Sequence, residues 1–313
     1  MELHPAPFYH DVADGPKSGA AHWVETSDGV RIRIGHWRAE EEKGTILLFP
    51  GRTEYIEKYG RTAQSFADRG YAMLAVDWRG QGLADRLIPD RLSGYVGSFD
   101  DYQQDVAATL FAADALDVPK PYYLIGHSMG GAIGLRGAMS GLPVKAAVFS
   151  APMWGILMAA LMKPTAWALS WASKKAGMGH KIAPGTTVET YVLAEPFEGN
   201  TLTHDPDMYV YMQEQMRRYP DMALAGPSMH WLHEAMRDMK ELAAQPAPDL
   251  PCLTFLGEQE RIVDPKAIVT RMESWPRGEL VMIPGAEHEV LMELPEMREP
   301  IHDQIAAFFD AHR

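Results

Sequence analysis

Three residue types, in one order along the chain, define the chemistry open to it. Gly126-His127-Ser128-Met129-Gly130 follows an apolar run, Tyr122 to Ile125, and precedes small and apolar residues, Gly131 to Met139. A strand, a tight G-x-S-x-G turn and a helix make a nucleophile elbow. The turn forces Ser128 into a strained backbone conformation and lifts its hydroxyl above the sheet edge; Gly126 and Gly130 let strand and helix approach. A serine hydroxyl attacks only when a base takes its proton and an acid orients that base. In elbow folds the chain order is serine, acid, histidine. His288 stands on the loop after the last apolar run, in Ile283-Pro284-Gly285-Ala286-Glu287-His288, where the base belongs. The acid must come from Gly257-Glu258-Gln259-Glu260-Arg261-Ile262-Val263-Asp264. Asp264 precedes Pro265 and reads as a helix N-cap. The acid role is therefore assigned to Glu260, with Asp264 as the alternative and Glu258 behind both. Acyl transfer also needs two N–H donors for the developing oxyanion. These are expected at the backbone amides of Met129, after the nucleophile, and of Arg52, on the loop after an early strand.

Other reactive side chains take plainer roles. His127 is read as local packing beside the elbow. His230, His233 and Glu234 follow the order H-x-x-H-E, which matches neither zinc-protease pattern. No metal and no cofactor is expected. Cys252 lies in an apolar run and reads as a small core residue.

These residues need elements to carry them. His22 to Glu25 and Val30 to Trp37 alternate apolar and polar around Ser27-Asp28-Gly29, a hairpin pattern. Thr45 to Phe49 and Tyr71 to Val76 are buried strands with a helix, Ile56 to Arg69, between them. Asp101 to Leu116 is a helix, and Val144 to Phe149 a strand. After Pro251, strands at Cys252 to Leu256 and Glu279 to Ile283 alternate with helices at Lys266 to Ser274 and Glu296 to Ala311. Such alternation means a mostly parallel central sheet with helices on both faces, an α/β fold. It stops at Pro152, and the helical, Met- and Trp-rich residues 151–249 read as a cap inserted over the C-terminal edge of the sheet, where ligands bind in such folds. The core is then residues 1–150 and 250–313. Within the cap, Asp205 and Pro206 mark a helix start.

Charge and composition exclude some partners. A net charge of −13 argues against nucleic acid, which requires a basic surface. One cysteine allows no internal disulfide and fits a reducing, cytoplasmic setting. The N-terminal residues show no basic start and no apolar core, so no signal peptide is expected. Ala146 to Met162 carries no charge, but Pro152 divides it into a strand and an amphipathic cap helix rather than a membrane span. Residues 118–188 contain seven basic side chains and no acid. Lys163, Lys174, Lys175 and Lys181 are interleaved with Trp154, Trp167 and Trp171, as on a helix that lies at a lipid surface. Two readings stand: weak, salt-sensitive peripheral membrane contact through the cap, or a cap whose indoles and methionines line an acyl tunnel.

Five segments carry a family resemblance: Pro50-Gly51-Arg52-Thr53-Glu54, Asp77-Trp78-Arg79-Gly80-Gln81-Gly82, the elbow, Asn200-Thr201-Leu202-Thr203-His204-Asp205 and Gly285-Ala286-Glu287-His288. Together they resemble the bacterial lysophospholipase and monoacylglycerol lipase branch of the α/β-hydrolase superfamily, from about Trp23 to the C-terminus. The resemblance implies hydrolysis of a single acyl ester on a glycerol-type headgroup. Two positions depart from it: relatives usually carry aspartate where Glu260 stands, and many lipases have histidine at Pro50. The competing readings are a serine peptidase of the same fold and a non-catalytic scaffold. An aminopeptidase would be expected to anchor an ammonium with acidic cap residues, and residues 118–188 offer none.

Overall fold

The computed structural model describes residues 1–158 and 162–313. The end of the uncharged run, residues 159–161, and the side chain of Lys163 lie outside the described residues. Nine strands form one sheet: β1 (Leu3–Ala6), β2 (Ala20–Glu25), β3 (Arg31–Trp37), β4 (Thr45–Phe49), β5 (Ala72–Asp77), β6 (Tyr122–His127), β7 (Ala147–Ser150), β8 (Cys252–Gly257) and β9 (Gly278–Ile283), in the order β1-β2-β3-β5-β4-β6-β7-β8-β9. β1, β2 and β3 pair antiparallel, as do β3 and β5. The rest of the sheet is parallel.

The apolar runs of β4 to β7 are continuous because both faces are covered. Leu47, Phe49, Leu124 and Phe149 enter one core, and Ile46, Leu48, Tyr123, Ile125 and Val148 enter the other. The helices in chain order are α1 (His10–Ala13), α2 (Gly60–Asp68), α3 (Tyr102–Ala115), α4 (Met129–Met139), α5 (Met162–Lys175), α6 (Tyr191–Ala194), α7 (Pro206–Arg218), α8 (Met229–Ala243), α9 (Pro265–Glu273) and α10 (Pro295–Asp310). α3, α4, α8 and α9 supply the first core; α2, α7 and α10 supply the second. α5 packs along α8.

Two elements differ from expectation. The helix expected from Ile56 begins as a 3-10 turn, Ile56–Tyr59, and becomes α-helical at Gly60. Gly60 abuts α1: a Cβ there would lie 1.6 Å from the Ala13 carbonyl oxygen. β1 went unread because it is short and contains Pro5, which is tolerated on a sheet edge.

The expected basic and aromatic patch is smaller than its sequence. Trp154 is buried in the core, where its Nε1 donates to the Gly131 carbonyl at 3.1 Å. Trp167 is half-buried against His233. Lys174 is paired with Glu234 at 2.8 Å, and Arg136 is tied to Asp100, Asp238 and Glu241. What remains outward on α5 is largely apolar: Ala168, Leu169, Trp171 and Ala172 are exposed, with Leu169 at 47% and Trp171 at 51%, and Lys175 is exposed at the helix end. No helix among the described residues is long and apolar enough to cross a membrane.

Candidate active site

β6 delivers the chain to Ser128 and α4 carries it away. Ser128 has φ 49° and ψ −118°, a conformation that costs an L-residue of order 1–3 kcal/mol. Three main-chain hydrogen bonds hold it there. Its N–H donates to the Ser150 carbonyl at 3.0 Å, and its carbonyl accepts from Gly131 at 2.9 Å and Met153 at 2.8 Å. Gly130 is obligatory: a Cβ would lie 1.9 Å from the Phe49 carbonyl oxygen, inside β4.

His288 is buried, with its Nδ1 2.6 Å from Glu260 Oε2. The other oxygen of Glu260 accepts from the amides of Ile262 at 2.6 Å and Val263 at 2.9 Å. The carboxylate thus folds back on its own loop and still reaches the imidazole. Burial pushes the Glu260 carboxyl up, but the His288 contact and the two amides outweigh it and hold it below the ordinary glutamate range. Asp264 caps α9, accepting from the Lys266 amide at 3.1 Å. Glu258 is exposed and accepts from the Gly285 amide at 3.0 Å. Of the three acids, the fold brings Glu260 onto the histidine.

The Pro50–Thr53 loop is strapped from below by the Asp77–Gly82 segment. Trp78 Nε1 donates to the Pro50 carbonyl at 3.0 Å, and Gln81 Oε1 accepts from the Thr53 amide at 2.9 Å. Asp77 accepts from the Ile56 amide at 2.8 Å, and the Gly51 amide donates to Glu54. Neighbouring amides are therefore engaged by side chains. Among the described residues the Arg52 amide has no protein acceptor. The Met129 amide, first in α4, also points out of the helix without an intrahelical partner.

Beneath this loop lies a buried polar cluster that sequence reasoning missed. Lys58 Nζ donates to Glu54 at 2.6 Å and to Glu289 at 2.8 Å; Tyr59 donates to Glu54 at 2.6 Å. His127 Nε2 is 3.6 Å from Glu54, and its ring centroid is 4.9 Å from that of His288. His127 is thus nearer the chemistry than its packing role implied. Burial drives its pKa down to about 3, so it is neutral at pH 7. Burial raises the Glu289 carboxyl above its ordinary range, against the opposing pull of Lys58. Glu54, His127 and Glu289 have the mutual spacing of a metal site. The Lys58 ammonium bonds both carboxylates and already supplies a cation there. His230 and His233 lie apart from one another's contacts: His230 is bound to the Gly97 carbonyl at 2.8 Å, and His233 lies 3.3 Å from Ser170 Oγ.

Ser128, His288, Arg52 and His127 line one cavity of about 260 Å³. Apolar side chains, among them Met153, Ile156, Val192, Leu202, Met212, Met216, Trp231 and Val263, make most of the remaining wall, and Thr53, Glu54, Tyr55, Lys58, Thr190, Tyr191 and Glu289 give it a polar side. The segment Asn200–Asp205 closes on the histidine loop. The amides of His288 and Glu289 donate to the carbonyls of Thr201 at 3.3 Å and Leu202 at 2.8 Å. Buried Glu293 gathers the amides of Glu287 and His204, both at 2.8 Å, and Thr203 Oγ1 donates to the Met292 carbonyl at 2.8 Å. The motif that marked the resemblance is a clamp on the loop carrying His288.

Known proteins share this chain's sequence family and architecture. The family model described as Hydrolase_4, serine aminopeptidase S33, matches residues 40–295. Lysophospholipase L2 of Escherichia coli K12 is 31% identical over 300 residues, 91% of this chain and 86% of that protein. Monoglyceride lipase of Saccharomyces cerevisiae is 23% identical over 306 residues, 92% of each chain. The crystal structure of a soluble variant of the yeast monoglyceride lipase, in complex with a substrate analog, superposes with a TM-score of 0.73 at 22% identity, covering 98% of this chain and 99% of that one. A carboxyl esterase from Bacillus coagulans gives 0.74 at 15% identity, covering 94% and 99%. By the reach of the family match and the shared architecture, the chain belongs to the Hydrolase_4 family within the α/β-hydrolases.

Proposed function

We propose that this hydrolase cleaves the acyl ester of a single-chain lipid, a lysophospholipid or a monoacylglycerol, through an acyl-enzyme on Ser128. The observation that carries the reading is the Glu260–His288 pair, whose histidine lines the same mainly apolar cavity as the strained serine. Ser128 Oγ attacks the ester carbonyl and His288 takes its proton. Glu260 keeps Nδ1 protonated and stabilises the imidazolium. The amides of Arg52 and Met129 receive the oxyanion. His288 then protonates the departing glycerol-type oxygen, and water completes the cycle through the same base. Residues 151–249 serve as the lid, with Met153, Met212 and Met216 facing the acyl chain. The 31% identity to lysophospholipase L2 supports the lipid ester. The family description invites an aminopeptidase, but the two buried acids beside the cavity, Glu54 and Glu289, are both bonded to Lys58. They are not available to anchor a substrate ammonium. Ser128→Ala should lower turnover by roughly 10³-fold or more with the fold intact. A fluorophosphonate probe should label wild type at Ser128; hydrolysis at the wild-type rate by the variant would sink the mechanism.

The outward face of α5 supports a second part of the proposal, weak peripheral contact with a lipid surface. Exposed Lys175 and Lys181 accompany Leu169 and Trp171. Co-sedimentation with anionic vesicles should fall for Leu169→Ser with Trp171→Ser, and fall less for Lys175→Glu with Lys181→Glu. Vesicle binding untouched by the first pair would remove α5 as the docking face.

A further inference from the structure

Arg52 brings into the cavity wall a cation that the ester chemistry does not use. The guanidinium lies 5.4 Å from the centroid of the Trp231 ring, and its Nη2 donates to the Ala225 carbonyl. Nε is buried with no acceptor. Among the described residues no carboxylate pairs with it, whereas buried Arg33 is held by Glu57 and Asp77, and buried Arg79 by Asp28 and Asp105. Burial without a counter-charge lowers its pKa to about 10. Arg52 is half-buried, and a partly desolvated cation lacking an anion is unfavourable unless a ligand supplies the charge. The surroundings leave room for it by design of the chain: a Cβ on Gly94 would lie 2.8 Å from Nη2. Gly94 is itself fixed, donating to the Gly226 carbonyl at 3.2 Å and accepting from the Ser228 amide at 2.8 Å.

We infer that the Arg52 side chain is a specificity residue for an anionic headgroup, receiving the phosphate of a lysophospholipid and favouring that substrate over an uncharged monoacylglycerol. The inference rests on the lipid-esterase reading above. In a lysophospholipid, three glycerol carbons separate the ester oxygen from the phosphate ester oxygen. Arg52 starts at the proposed oxyanion amide and extends by a side chain of comparable reach. The apolar wall from α7, with Met212 and Met216, is left for the acyl chain. A planar fork suits phosphate, which Lys meets only as a point charge.

The test compares lysophosphatidylglycerol with a monoacylglycerol of the same acyl chain, for wild type, Arg52→Gln and Arg52→Lys. The kcat/KM ratio of charged to neutral substrate should fall about 10-fold or more in Arg52→Gln, chiefly through KM, with Arg52→Lys between. Glycerol 3-phosphate should slow fluorophosphonate labelling of Ser128 in wild type and not in Arg52→Gln. Equal losses on both lipids, with labelling indifferent to glycerol 3-phosphate, would overturn the inference and leave Arg52 as a tie between two loops. Labelling of Ser128 without turnover of either lipid would overturn the lipid-esterase reading itself, and the inference with it.

Discussion

Glutamate at position 260, in place of the aspartate that the family resemblance leads one to expect, has a local explanation. The extra methylene lets one carboxylate oxygen return to the Ile262 and Val263 amides while the other stays 2.6 Å from His288. Glu260→Gln should therefore lower kcat by roughly 10³–10⁴-fold, as an amide cannot hold the right tautomer or stabilise the imidazolium. Asp264→Asn should leave kcat near wild type and shift stability by a few tenths of a kcal/mol, since asparagine caps α9 as well as aspartate. Steady-state kinetics with urea unfolding checks both, and the reverse order of damage would move the acid to Asp264. The strained turn at Ser128 and the Glu260–His288 contact were legible because chain order and turn chemistry constrain them. The Lys58, Glu54, Glu289 and His127 cluster was not. Its members come from three separated stretches of chain, and nothing in their local spacing announces that a fold will bury them together.

At the scale of elements, the sequence motifs turn out to be straps. Asp77, Trp78 and Gln81 hold the loop that presents the Arg52 amide; Asn200 to Asp205 hold the loop that presents His288. Among the described residues neither set hydrogen-bonds the Ser128 hydroxyl or the His288 ring, so under the proposed mechanism both are positioning segments. Glu293 is the hub of the second. Glu293→Gln keeps the shape but replaces an acceptor oxygen by a donor, opposing the Glu287 and His204 amides. The histidine loop should shift, lowering kcat on the order of 10-fold or more with little change in KM. A change confined to melting temperature, with kcat intact, would reduce Glu293 to a purely structural role. The motif was visible in sequence as a family mark, but its function as a clamp depends on tertiary contacts that only the fold supplies.

Over the whole molecule, alternation of apolar runs with helical stretches was enough to read the parallel sheet, because buried strands and amphipathic helices differ in period. Surface character was less legible. A count of lysines and indoles cannot show that Trp154 is in the core or that Lys174 and Arg136 already have partners. The contact between residues 201–202 and the histidine loop has a further consequence for mutation. The acceptors that seat the amides of His288 and Glu289 are the carbonyls of Thr201 and Leu202, and every residue type has a carbonyl. Side-chain replacement at those two positions leaves the acceptors in place. A one-residue insertion or deletion between Phe197 and Asp205 does not: it slides the carbonyls past the amides they serve. At positions 201 and 202 the seating is tolerant of identity and intolerant of length, the opposite of what surface connections usually permit.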